Sequence, residues 1–231
     1  MRKHWWPIAG IVWIVSGLAA VGAELWSGVR SSAPYSFAEQ AISDLGWVGC
    51  GASDAYPDGP VEICSPEHTV LNVAWIVTGL AFAAAALALR RVLPVGKRGG
   101  IGAWLLVAGG LGQAGAGLWP SDVDLTLHTI IAMIGFLAQS VALILIGSGW
   151  LRSRAALGRT TLIAGIVTIF GLLLLMAPTA WSLPFGILER AAAWPFLLWL
   201  VLAGAAAMRA SRAPDARGAR GGSPAPRAAG R

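Results

Sequence analysis

The 231-residue sequence predicts an all-α membrane fold: a six-transmembrane-helix bundle with both termini cytoplasmic and a short amphipathic helix in the first outer loop. Three observations carry that expectation. Six apolar stretches, at 5–26, 68–89, 101–119, 127–150, 161–183 and 191–208, each approach the ~20 residues that a helix needs to cross a bilayer. Charge is sorted between the gaps that separate them. Fifteen of the 17 Lys and Arg lie at the N-terminus, in the second and fourth gaps, and in the tail; ten of the 11 acids lie at the end of span one or in the other gaps. The positive-inside rule then places the basic segments in the cytoplasm and the acidic loops outside. Third, six of the 12 Trp (Trp5, Trp6, Trp26, Trp119, Trp150 and Trp181) sit at span ends, where an amphipathic ring settles at headgroup level.

Composition agrees. Hydrophobic residues make up 56% and charged residues 12% of the chain, about half the ordinary soluble share of charge. The net charge of +6 would suggest nucleic acid in a soluble protein, but here it is spread over short cytoplasmic segments and a tail. Its plainest role is to set orientation and touch anionic headgroups. Membrane lipids are the expected partners and nucleic acid is not; oligomeric state is left open.

Span one is too long for a cleavable leader and carries Glu24 near its outer end. Glu24 shares a face with Gly10 and Gly17, which points it into the bundle, and a carboxylate there needs a partner. The first outer loop, 27–67, opens with Pro34-Tyr35-Ser36-Phe37-Ala38-Glu39, whose S-x-x-E has the form of a capping box. Phe37, Ala38, Ala41, Ile42 and Leu45 recur at helical spacing, and Gly46 offers a stop. This predicts the amphipathic helix, lying on the membrane surface, capping the bundle mouth or plugging a gap between spans. Cys50 and Cys64 share the loop. Outside the membrane such a pair persists as a disulfide, and closing its loop stabilises by about 3 kcal/mol in the chain-entropy model. A catalytic redox pair is the alternative, although redox pairs are usually C-x-x-C.

Span two begins at Glu67-His68, with Asn72 one turn on. Span three repeats Gly109, Gln113 and Gly117, a small-residue pattern interrupted by an amide. In the third gap Asp122 or Ser121 can cap span four, and Ser121-x-x-Asp124 has the form of a capping box with Asp in the acidic slot. Asp124 and His128 share a face that continues through Ala132, Gly135 and Gln139. Gln113 and Gln139 are therefore expected to hydrogen-bond across two helices, lining a pocket or serving packing. Span six opens with Glu189-Arg190 at the outer interface, and Arg190, one of two outer cations, is a natural partner for Asp44, Asp122 or Asp124. From 209 onward the sequence is Ala/Arg/Gly/Pro-rich and predicts a disordered basic cytoplasmic tail behind a membrane domain of 1–208.

No H-E-x-x-H, G-x-S-x-G or phosphate-loop motif is present. A zinc site would need distant His, Asp and Glu residues to converge. No metal site is assigned, and any cofactor is unknown.

The ordered motifs resemble the domain-of-unknown-function 998 family of bacterial and archaeal membrane proteins. The matching residues are Tyr35-Ser36 with Ile42-Ser43-Asp44-Leu45-Gly46, Asn72 with Gly79, Gly117-Leu118-Trp119-Pro120-x-Asp122 then His128, and Gly186-Ile187-Leu188-Glu189-Arg190. The resemblance covers about 6–208 and implies a six-helix membrane fold with no established activity. The Ile-Ser-Asp-x-Gly element and the later His are also similar, more distantly, to Frag/DRAM/Sfk-type membrane proteins, some linked to lipid remodelling. Those often carry Thr where this chain has Leu45.

Together these features point to a plasma-membrane protein whose outer mouth handles a lipid or lipid-linked envelope component. His128 is the candidate base, Asp122 or Asp44 its orienter, and Arg190 an anion clamp, with Glu189, Asp124, Gln139 and Gln113 as further substrate-facing groups. Whether it is an enzyme stays open. The alternative is a non-enzymatic transport or assembly protein whose outer polar residues staple helix ends. A thiol oxidoreductase using Cys50 and Cys64 is a third reading.

Overall fold

Apolar side chains cannot satisfy backbone amides, so each long apolar run becomes a helix that pairs its own backbone. The computed structural model describes residues 5–54, 56, 59–177 and 183–212. It contains six helices long and apolar enough to cross a membrane. These are α1 (Trp5–Val29), α2 (His68–Leu89), α3 (Lys97–Leu118), α4 (Leu125–Trp150), α5 (Ala155–Leu175) and α6 (Phe185–Arg212). Each packs on the next and α6 closes back on α1, so the bundle is a ring in sequence order.

The axis of that ring is filled in its middle and toward the end that carries the chain termini. Trp13, Phe82, Phe196 and Trp199 meet there, with ring centroids 5.3 Å apart for Trp13–Trp199 and 5.2 Å for Phe82–Phe196. Trp13 Nε1 donates to the Phe82 carbonyl at 3.0 Å and Trp199 Nε1 to Thr161 Oγ1 at 2.9 Å, so neither indole N–H is left unpaired. Helix contacts elsewhere depend on missing side chains. A Cβ on Gly110 would lie 2.4 Å from the Gly79 carbonyl oxygen, and one on Gly79 would lie 2.6 Å from that of Gly110. The two backbones touch, as small residues allow in lipid.

The helix ends differ from the sequence expectation. α3 and α5 begin at Lys97 and Ala155, and α6 at Phe185, so Glu189 and Arg190 lie about one turn inside α6 rather than at its opening. Hydropathy marks the apolar thickness, whereas a helix runs on into its polar flanks until its backbone finds other partners. The amphipathic helix expected over 37–45 is not formed. Residues 37–40 make turns, and only Ser43–Gly46 form a short 3-10 helix. The reason is competition for the backbone. Gly186 N–H donates to the Glu39 carbonyl at 3.2 Å and Ile187 N–H to that of Ala38 at 2.9 Å. The loop thus caps α6 with the carbonyls that its own helix would have used. Half of the expected capping box survives: Ser36 Oγ accepts from Glu39 N–H at 3.3 Å, but it is Gln40 that returns to Ser36 N–H, at 2.8 Å.

After the 3-10 helix come β1 (Cys50–Ser53) and β2 (Val61–Cys64), an antiparallel pair in which Cys50 sits directly opposite Cys64. The two form a disulfide. The basic tail expected from 209 is helical to Arg212, and the rest of it lies outside the described residues.

Candidate functional site

At the disulfide end of the ring, the first loop is bound to every neighbouring helix by polar side chains. Glu189 and Arg190 are adjacent on α6 and therefore point about 100° apart. Arg190 turns toward α1. Its Nε donates to Glu24 Oε1 at 2.9 Å, Nη1 to the carbonyls of Gln40 and Gly186 at 2.9 and 3.0 Å, and Nη2 to the Tyr35 hydroxyl at 2.7 Å. Glu24 also accepts from Trp194 Nε1 at 2.8 Å. The partner of Arg190 is thus Glu24, not Asp44, Asp122 or Asp124, and its fork is occupied by protein acceptors. Glu189 turns the other way, and its Oε2 accepts from Ile42 N–H at 2.5 Å.

The 3-10 segment is held residue by residue. Tyr56 accepts from Ala41 N–H at 2.8 Å and donates to Asp44 Oδ2. The carbonyls of Leu45 and Gly46 accept from Ser65 Oγ and Asn72 Nδ2, each at 2.8 Å. Trp47 Nε1 donates to Ser121 Oγ at 2.8 Å, and Asp122 Oδ2 accepts from Val48 and Gly49 N–H at 2.8 and 2.9 Å. The Ile-Ser-Asp-Leu-Gly motif is therefore the strip that joins loop to bundle.

Behind this strip a cavity of about 400 Å³ opens between α4, the last turn of α5 and the first turns of α6. Its lining mixes polar groups, among them Ser43, Asp44, Tyr56, His128 and Glu189, with apolar ones such as Leu125, Met133, Leu175 and Phe185. A smaller void of about 50 Å³ lies deeper, with His128, Ala132, Phe136 and Glu189 lining both. Glu24, Gln113 and Gln139 line only the inner void. Gln113 Nε2 donates to Thr78 Oγ1 at 2.8 Å and Gln139 Nε2 to the Gly109 carbonyl at 3.2 Å. Each amide therefore serves a neighbouring helix, and the two do not meet as expected.

His128 is buried, and its Nδ1 lies 2.8 Å from the Trp119 carbonyl. A carbonyl only accepts, so that nitrogen carries the proton and Nε2 is the basic one in the neutral ring. The orienter of His128 is thus a backbone carbonyl, and Asp122 is engaged elsewhere. Asp124 caps α4, its Oδ1 accepting from Leu127 N–H at 2.9 Å. Of the sequence candidates, His128, Asp44 and Glu189 meet at the cavity; Arg190, Asp122 and Asp124 stand around it as supports. Among the described residues no group of three His, Cys, Asp or Glu side chains is arranged to hold a metal ion.

Sequence reasoning gave no site role to Tyr35, Gln40, Tyr56 or Trp194. One signal was available: the chain has only two Tyr against 12 Trp, and both fall in this loop. Burial pushes both phenols well above their ordinary range, so they act as neutral donors. Burial also pushes the Asp44 carboxyl up to about 6, against the opposing effect of the Tyr56 hydroxyl. A carboxyl whose folded value exceeds its unfolded one favours folding fully below the unfolded value and loses that contribution as pH rises through the folded one. Melting temperature is therefore expected to fall between about pH 4 and pH 6.5, by up to roughly 3 kcal/mol of stability from this group. Asp44→Asn should flatten that window when melting of the two proteins is compared. An unchanged slope would show that Asp44 is not the group responsible.

Six helices long and apolar enough to span a bilayer define a multi-pass membrane protein. The chain belongs to the family described as Protein of unknown function (DUF998), whose model matches residues 8–206. No curated protein and no solved structure matches it.

Proposed function

We propose that this protein receives the polar end of a lipid or lipid-linked envelope component in the cavity at its disulfide end. That end would face outward from the plasma membrane, with both chain termini in the cytoplasm. The observation that carries the reading is a cavity of about 400 Å³ lined both by carboxyl, hydroxyl and imidazole groups and by apolar side chains of α4, α5 and α6. Ligand sites commonly combine apolar walls with a few convergent polar groups. Native mass spectrometry of the purified protein should find one retained amphiphile per chain. Met133→Trp, which fills part of the cavity, should abolish it. Equal retention by both proteins, or none by either, would remove the basis for the reading.

In an enzymatic version His128 is the base, since its basic Nε2 belongs to a ring that lines the cavity. His128→Ala would then abolish turnover of the retained molecule without releasing it. The non-enzymatic reading has its own support. Arg190, Asp122, Asp124, Gln113 and Gln139 all direct polar atoms at protein partners, as helix staples do. In that version the cavity binds without chemistry, and His128→Ala changes nothing but affinity.

A further inference from the structure

The sign of the charge in the cavity narrows what can enter it. The ionisable groups lining the two voids are Asp44, Tyr56, Glu189, His128 and Glu24, and among the described residues no Lys or Arg lines either void. Glu24 is answered by Arg190, whose guanidinium is turned away and held by four protein acceptors. Asp44 and Glu189 feel Arg190 only through space and take hydrogen bonds from neutral donors: the Tyr56 phenol and the Ala41 amide on Asp44, the Ile42 amide on Glu189.

Glu189 is the more telling. It is 7% exposed, lines both voids, and uses Oε2 to accept from Ile42 N–H. Among the described residues no donor is placed on its Oε1. A buried carboxylate with an open oxygen is costly unless a cation or further donors complete it. The walls beside it are aromatic: Tyr56 and Phe185 stand edge to face at 5.6 Å, and Trp47 and Phe136 line the same cavity. Ring faces attract ammonium groups electrostatically, and a carboxylate among aromatic faces is the arrangement that recognises an alkylated amine.

Resting on the amphiphile-binding reading above, we infer that the cavity selects a cationic, amine-bearing headgroup, held by Glu189 and Asp44 among Tyr56, Trp47 and Phe185. The anion clamp expected of Arg190 is replaced by its opposite.

The test uses full-length protein in uncharged dodecyl maltoside micelles, with one-to-one binding counted by native mass spectrometry. The probes are dodecylammonium, dodecyl phosphate and propylammonium. Dodecylammonium should bind at the lowest concentration, and Glu189→Gln, which can still accept from Ile42 N–H, should weaken it about ten-fold or more. If Glu189→Gln does not fold, Asp44→Asn carries the same comparison. Propylammonium binding as well as dodecylammonium would keep the cation site and assign it to a free amine rather than a lipid. Dodecyl phosphate binding as tightly as the ammonium, or ammonium binding indifferent to both variants, overturns the inference while leaving an amphiphile site. No binding of either dodecyl probe overturns both.

Discussion

Arg190→Gln is expected to cost the folded protein about 3–5 kcal/mol, the effect of removing one partner from a buried ion pair. Three consequences combine in that substitution. Glu24, 1% exposed on α1, is left as a carboxylate whose remaining partner is the Trp194 indole. The Gln40 carbonyl and the Tyr35 hydroxyl lose a charged donor, and with them the loop loses part of its attachment to α6. Thermal melting in detergent checks the expectation. Arg190→Lys should restore little, because a single ammonium cannot reach four acceptors spread around a planar fork. Glu24→Gln combined with Arg190→Gln should be more stable than Arg190→Gln alone, since no lone charge then remains. A double variant as unstable as the single one would mean that the cost lies in the loop contacts instead.

Gly110→Val should be at least as damaging, by a different route. The new Cβ would lie 2.4 Å from a backbone oxygen of α2, which cannot rotate aside as a side chain can. Overpacking usually costs about 1–3 kcal/mol where neighbours can shift, and more where they cannot. The α2–α3 contact should open, with loss of folded yield measured by fluorescence-detected size-exclusion chromatography. Gly22→Ala is the control. A Cβ there meets nothing within 4 Å, so that variant should fold and melt like the parent. Similar losses in both would show that helix packing does not depend on the Gly79–Gly110 approach.

The six spans were legible because each is a local property: a run of apolar residues, bounded by charge. What the sequence hid is what depends on distance. Glu24 and Arg190 are 166 positions apart, so the choice of Glu24 over three nearer-looking acids is visible only once α6 lies beside α1. The expected helix at 37–45 failed for a similar reason, as its carbonyls were claimed by amides of Gly186 and Ile187. Local periodicity was present but tertiary partners outweighed it. His128 lines the cavity, and its place on a stripe of small residues was a local signal that singled it out. Its orienter was not, since a backbone carbonyl leaves no mark in side-chain identity.

The aromatic cluster on the bundle axis bears on how any bound molecule would travel. Trp13 and Trp199, each 1% exposed and each tied through its indole nitrogen, lie across the route from the cavity toward the chain termini. On that side of the cavity the bundle axis is packed with buried side chains. Passage to the opposite side would require both indoles to swing away and abandon their acceptors together. For the proposed amphiphile, crossing the bundle would thus demand the loss of two buried hydrogen bonds, a cost that return to the side of entry avoids.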